Sequence, residues 1–261
     1  MLIKFKRFMM KLQLLRNATQ ILTVNGKTIL IDPMLGSKHS YDPFGNTNNN
    51  QRNPTADLPI NHTALELLIA QTDAVLLTHI HLDHWDITAQ QLLPKDILIF
   101  CQPEDTQAIR QTGFTNLQPI TDGFIWSDIS IQRTGGRHGT GDIGKRMGTV
   151  SGYFIQYQEE SVYLAGDTIW CDEVKTALDQ FQPFRIVLNG GAARFLTGAP
   201  IVMDIEDIIR VCNYAPETAV YVVHLEAVNH SSESREKIRQ AIKEHGLSKR
   251  CTIPLDGEYL F

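Results

Sequence analysis

The stretch THIHLDHWD, Thr78 to Asp86, packs three histidines and two aspartates into nine residues, directly after the apolar run DAVLL (Asp73 to Leu77). A short apolar run bounded by polar residues reads as a buried strand. In an extended segment residues i, i+2 and i+4 share a face, so His79, His81 and Asp83 converge. His84 joins them if the chain turns into the helical pattern WDITAQQLL. Imidazoles and carboxylates gathered in a desolvated pocket are unfavourable without a cation, and a divalent metal converts each into a ligand. Adjacent Asp83 and His84 cannot easily reach an ion held by His79 and His81, so two metals suit the segment better than one.

A second ion needs further ligands, and strand ends elsewhere in the chain offer them. His138 lies in TGGRHGTG, where glycines permit close backbone approach. Asp167 closes SVYLAGD and His224 closes TAVYVVH. Around these residues the pattern is strand-rich at first: KLQLLR (Lys11 to Arg16), QILTV (Gln20 to Val24) and KTILID (Lys27 to Asp32), the last two joined by the hairpin signal Asn25-Gly26. Strands AVLLTH, DILIFC, DISIQR, GYFIQY, SVYLAG, RIVLNG and AVYVVH follow. Among them lie helix patterns, of which DEVKTALDQF, DIEDIIRVCNYA and SSESREKIRQAIKEHG are amphipathic. Two packed sheets with helices outside, in a single domain over residues 1–261, accommodate this order. Residues 1–9 read as a ragged extension, and Pro33 to Pro59 as a long loop.

Composition narrows the function. The formal charge is −5, from 24 basic and 29 acidic residues, and no basic tract is long enough to suggest a nucleic-acid face. No window approaches the ~20 apolar residues of a membrane span. Four scattered cysteines (Cys101, Cys171, Cys212, Cys251) without a CxxC fit reduced thiols, and a cytoplasmic location is expected. Oligomeric state is open, with a homo-oligomer compatible.

HxHxDH, then a histidine in a glycine-rich loop, a GD after a strand and a late histidine after another strand, resembles the metallo-β-lactamase superfamily over nearly the whole chain. The resemblance implies an α/β fold, the αββα four-layer sandwich, with metals at one edge between the sheets. It implies that His79, His81 and His138 hold one ion, that Asp83, His84 and His224 hold the other, and that Asp167 bridges them. True β-lactamases typically carry Arg or Cys where His84 stands, which speaks against antibiotic hydrolysis. LLRNATQILTVNGKTILIDPML and HLEAVNH look like the branch that includes ascorbate-6-phosphate lactonase. That branch implies a binuclear hydrolase, with Mn or Zn (Fe also suits the ligands), acting on a small anionic ester or lactone such as a sugar phosphate. Two such ions activate a shared water as the nucleophile. A phosphodiesterase or nuclease of the same superfamily, and a non-catalytic metal-binding protein, are the competing readings.

Within this scheme Asp83 is also a candidate proton acceptor. His230, read as lying at a helix start, is a candidate for substrate binding or leaving-group protonation. Arg137, Lys145 and Arg146 flank His138 and could neutralise an anionic substrate, and Asn189 and Arg194 are further candidate lining groups. His39, His62 and His245 read as surface or loop residues.

Overall fold

The computed structural model describes residues 10–261, so the expected extension over residues 1–9 lies outside it. Asn25 and Gly26 take φ of 50° and 71°, the left-handed pair that a two-residue hairpin requires. This turn joins β2 (Thr19–Val24) to β3 (Lys27–Ile31), and β1 (Lys11–Arg16) pairs antiparallel with the far side of β2. β4 (Ala74–Leu76), β5 (Leu98–Cys101) and β6 (Leu117–Pro119) extend this sheet in parallel, giving six strands in sequence order. The second sheet repeats the plan with seven strands. β7 (Gly123–Trp126), β8 (Ile129–Thr134), β9 (Gly152–Tyr157) and β10 (Glu160–Leu164) are antiparallel. β11 (Arg185–Asn189), β12 (Ala219–Val223) and β13 (Cys251–Thr252) then continue in parallel.

Alternation along each strand sorts the side chains into layers. Ile29, Ile31, Ala74 and Leu76 point between the sheets, where they meet Ile131, Tyr153, Ile155 and Leu164. Leu30, Val75, Leu77 and Ile99 face outward and pack with Leu65, Ala89 and Ile109. These come from α1 (His62–Gln71), α2 (Ile87–Leu92) and α3 (Thr106–Gln111). The glycine-rich loop carries α4 (Gly141–Met147), while the outer face of the second sheet lies under α5 (Asp172–Phe181), α6 (Ile205–Tyr214) and α7 (Arg235–Glu244). A fully buried aliphatic side chain contributes about 1.5–3 kcal/mol. That holds even three-residue β4 in place, since it is covered on both faces. The architecture is the αββα sandwich. Among the described residues, no helix is long and apolar enough to cross a membrane.

Several elements depart from the sequence reading. α1 and α4, and the short strands β6, β7 and β13, were not expected. α7 starts at Arg235, capped by Ser234, not at Ser231. The Pro33–Pro59 segment holds no helix or ladder strand, yet it is tied down. Arg16 is fully buried, and its Nη2 donates to the carbonyls of Met34 (2.7 Å) and Gly36 (2.8 Å) while Nη1 donates to that of Ala56 (3.0 Å).

Candidate metal centre

The ends of β4, β8, β10 and β12 lie at one edge of the sandwich, and their trailing residues meet there. β4 stops at Leu76, so THIHLDHWD is not extended throughout. The chain turns after His81, whose carbonyl accepts from the backbone N–H groups of His84 and Trp85, both at 2.9 Å. This corrects the expectation that His79, His81 and Asp83 share a face through strand alternation. The turn sends Asp83 and His84 together to a second cluster.

Three overlapping groups of candidate ligand atoms result, each with all its atoms within 4.8 Å of one another: His79, His81 and His138; His79, His84 and Asp167; and Asp83, His84 and His224. Asp167 Oδ2 is central, 3.3 Å from His84 Nε2, 3.6 Å from His138 Nε2 and 3.7 Å from His224 Nε2. All seven side chains are buried except that of His81, which is half-buried at the mouth. The arrangement could therefore hold two ions with Asp167 between them.

Local sequence explains the convergence. Gly166, with φ of 67°, lets the chain turn before Asp167, and a Cβ there would lie 2.6 Å from the Ser151 carbonyl oxygen. Gly139, with φ of 95°, lets the His138 loop close on Ile201, whose Cγ2 would stand 2.9 Å from an added Cβ. His138 Nδ1 then donates to the Ile201 carbonyl at 2.7 Å, which leaves Nε2 facing the cluster. His84 is oriented by Asp32, a residue the sequence reading passed over: its Oδ2 lies 2.9 Å from His84 Nδ1, and the carboxylate also accepts from the Thr78 N–H and hydroxyl. ILIDP did carry the signal, an acidic residue closing an apolar strand. Asn189 holds Asp167 from behind, donating to its Oδ1 at 2.7 Å.

Burial pulls His79 well below the usual imidazole range and lowers His81 and His138. Burial acts the same way on His84, but Asp167, Asp32 and Asp83 outweigh it and raise that ring well above the usual value. His224 is raised for the same reason, burial being outweighed by Asp167 and Asp83. In turn the imidazoles outweigh the burial of Asp83 and Asp167 and lower both carboxylates.

The cluster fits a metal on its own chemistry. His79 Nε2 faces His81 Nδ1 at 2.9 Å, His84 Nε2 is buried without a hydrogen-bond partner, and two carboxylates sit among five imidazoles. Divalent cations seated in these groups would satisfy the facing lone pairs, and the all-nitrogen-and-oxygen donor set suits Zn, Mn or Fe(II).

A cavity of about 230 Å³ opens on the cluster, floored by His81, Asp83, His138 and Asp167. Three loops contribute to its wall: Phe44 and Gly45 from Pro33–Pro59, Met147 from α4 in the glycine-rich loop, and Phe195 and Ile201 from the segment between β11 and α6. His230 also lines it. It lies four residues before the Ser234 cap, so it does not sit at a helix start as the sequence suggested. Its ring stands between Phe44 (centroids 4.8 Å apart, edge-on) and Phe195 (6.3 Å). Burial lowers its pKa to about 4.

The candidate substrate residues go elsewhere. Arg137 is exposed and its Nε donates to Glu173 at 3.0 Å, Lys145 pairs with Asp142 on the surface, and Arg146 is exposed. Arg194 Nε donates to the Ala192 carbonyl. None of the four lines the cavity, and Asn189 is occupied with Asp167. His39, His62 and His245 are exposed, as read, although His62 belongs to α1.

Residues 27–225 match the family model described as the beta-lactamase superfamily domain. Protein YddR of Bacillus subtilis is 38% identical over 253 residues, covering 95% of this chain and 98% of that one. A Flavobacterium johnsoniae protein named as a metal-dependent hydrolase is 24% identical over 233 residues, covering 87% of this chain and 90% of its own. Among solved structures, isothiocyanate hydrolase from Delia radicum gut bacteria superposes with a TM-score of 0.91 at 38% identity, over 97% of this chain and 99% of that one. Fold, strand-end ligand cluster and sequence agree, and the chain belongs to the beta-lactamase superfamily.

Proposed function

We propose that this protein is a metal-dependent hydrolase of small, uncharged, largely apolar electrophiles, with isothiocyanates as the class to test first. The observation that carries this reading is the cavity wall: Phe44, Leu82, Met147, Phe195 and Ile201 surround the cluster, and no Lys or Arg among the described residues lines it. A sugar phosphate or other anion would need a cation away from the metals to receive its charge, and here Arg137, Lys145 and Arg146 are exposed while Arg194 turns to the Ala192 carbonyl. Similarity to an isothiocyanate hydrolase at 38% identity supports the same choice. On this reading a neutral substrate is preferred to the anionic lactone that the family resemblance implies.

His79, His81 and His138 would hold one ion, Asp83, His84 and His224 a second, with Asp167 shared. Such ions supply a water made acidic near neutral pH and a Lewis acid for the electrophile. The protein's own groups do the remainder. The apolar wall seats the substituent and excludes bulk water. Asp83, held ionised, orients the attacking water from the cavity floor. His230 is neutral at pH 7 and lines the same cavity, so it can present an N–H to the substrate nitrogen as negative charge develops there. Water adds across the C=N bond of R–N=C=S, the nitrogen takes a proton, and the C–N bond then breaks to give R–NH2 and carbonyl sulfide. One water is consumed and no redox partner is required.

The test is turnover by Zn- or Mn-loaded protein of alkyl and aryl isothiocyanates, set against a lactone and an aryl phosphodiester. Amine release from isothiocyanates alone supports the reading. Hydrolysis confined to the phosphodiester or the lactone overturns it.

A further inference from the structure

Asn229 precedes His230 and is 98% buried, yet it makes an unusual number of polar contacts to one segment. Its Oδ1 accepts from the Phe44 N–H (3.0 Å) and from Asn53 Nδ2 (2.9 Å). Its Nδ2 lies within hydrogen-bond distance of Thr47 Oγ1 (2.7 Å) and of the carbonyls of Asn49 (2.9 Å) and Phe44 (3.1 Å). Its backbone joins in: the N–H donates to Asn53 Oδ1 at 2.8 Å, and the carbonyl accepts from Asn49 Nδ2 at 2.7 Å. One amide thus holds both backbone polar groups of Phe44, whose ring stands edge-on to His230 on the cavity wall.

We infer that Asn229 is a positioning residue for substrate selectivity: it fixes Phe44 against His230, and Phe44 with Phe195 forms a slot that favours substrates with an aromatic or bulky apolar substituent. The assignment to substrates rests on the function proposed above. The physical basis is independent of it. Without the amide, the Asn46–Asn50 stretch, exposed apart from Thr47, keeps only the Leu196 N–H on the Asn46 carbonyl (2.6 Å), Asn49 Nδ2 on the Asn229 carbonyl (2.7 Å) and bonds within the segment itself. A loop so released no longer presents an aromatic wall at a fixed place. Asp at 229 would keep both acceptor contacts but lose the Nδ2 donors and confront the Phe44 and Asn49 carbonyls with negative charge. It should therefore resemble Ala and not Asn.

The experiment compares wild type with Asn229→Ala, Asn229→Asp and Phe44→Ala, all metal-loaded, on methyl and 2-phenylethyl isothiocyanate. The ratio of kcat/KM for the phenylethyl over the methyl substrate is expected to fall about tenfold in each variant, with metal content unchanged. Amide exchange at Phe44 should quicken in both Asn229 variants and not in regions remote from the segment. A ratio that stays at the wild-type value while Phe44 exchange quickens overturns the selectivity role, and so does an equal loss on both substrates. If wild type hydrolyses neither isothiocyanate, the proposed function falls, and the wall is decided by binding of 2-phenylethanol, an unreactive apolar probe. Weaker binding in the variants upholds the slot, and unchanged binding removes it.

Discussion

Asp32 Oδ2 stands 2.9 Å from His84 Nδ1, while Nε2 of the same ring faces Asp167 at 3.3 Å. Asp32 touches no other cluster histidine, so its work is to fix which nitrogen of His84 carries a proton and which way the ring points. Asp32→Asn keeps the size but weakens the acceptor. Metal affinity should fall about 10–100-fold, measured by chelator competition, with secondary structure intact by circular dichroism. An unchanged affinity would assign the Asp32 carboxylate to the Thr78 N–H and hydroxyl alone.

Metal uptake should release protons at neutral pH. His84 and His224 are raised by neighbouring carboxylates in the metal-free protein, so each keeps its proton to a higher pH than a free imidazole, and binding must displace that proton. Apparent affinity should rise with pH through and above neutrality. Calorimetry in buffers of different ionisation enthalpy measures the proton count directly. For stability of the metal-free form the sign is opposite. The contribution of these two histidines is complete below the unfolded value near 6.5 and is lost as pH rises through the higher folded values.

His230 works in the reverse direction. Its folded value, lowered to about 4 by burial, lies below the unfolded value, so the unfolded chain binds more protons between the two. Its contribution is complete above about pH 6.5 and drains as pH falls toward 4, by about 3 kcal/mol at the lower limit. Urea unfolding of wild type and His230→Gln should therefore show a shallower acid loss in the variant. The activity profile should carry no limb from His230 between pH 5 and 8.

Arg16→Ala removes the guanidinium that three backbone carbonyls of the long loop share. Buried carbonyls left without donors cost about 1–3 kcal/mol each. A loss of roughly 3 kcal/mol or more is expected in thermal or denaturant unfolding, together with faster exchange across Met34 to Ala56. Arg16→Lys should recover little, because one ammonium cannot span the three acceptors.

Much of the fold was readable because its strands are buried apolar runs ending in charged residues. DAVLL, SVYLA and AVYVV each place their functional side chain one to three residues past the last ladder pairing. The convergence of the candidate ligands was readable for the same reason: a buried His or Asp at such an end has few other reasons to be there. What failed was local. Helix α1 buries only Leu65, so its amphipathic pattern is faint, and its clearest mark is the Asn61 side chain accepting from the Ala64 N–H. α4 contains Gly144 and begins at Gly141, which argues against a helix on propensity, yet it supplies Met147 to the cavity. The substrate arginines were misplaced because nearness in sequence to His138 says nothing about which side of a loop a side chain takes. Arg137 points to Glu173 while its neighbour points inward. Asn229 and Arg16 were invisible because each acts on a segment far away along the chain.

The candidate ligands are divided between the two halves of the sandwich: His79 to His84 follow a strand of the first sheet, and His138, Asp167 and His224 follow strands of the second. A cation seated among them acts as a rivet across the seam. A half-molecule fragment offers only part of the socket, and a slip of one sheet over the other by a single residue would pull the socket apart. Loading with metal would thus require both layers to be docked in register, and retained metal would read out that docking.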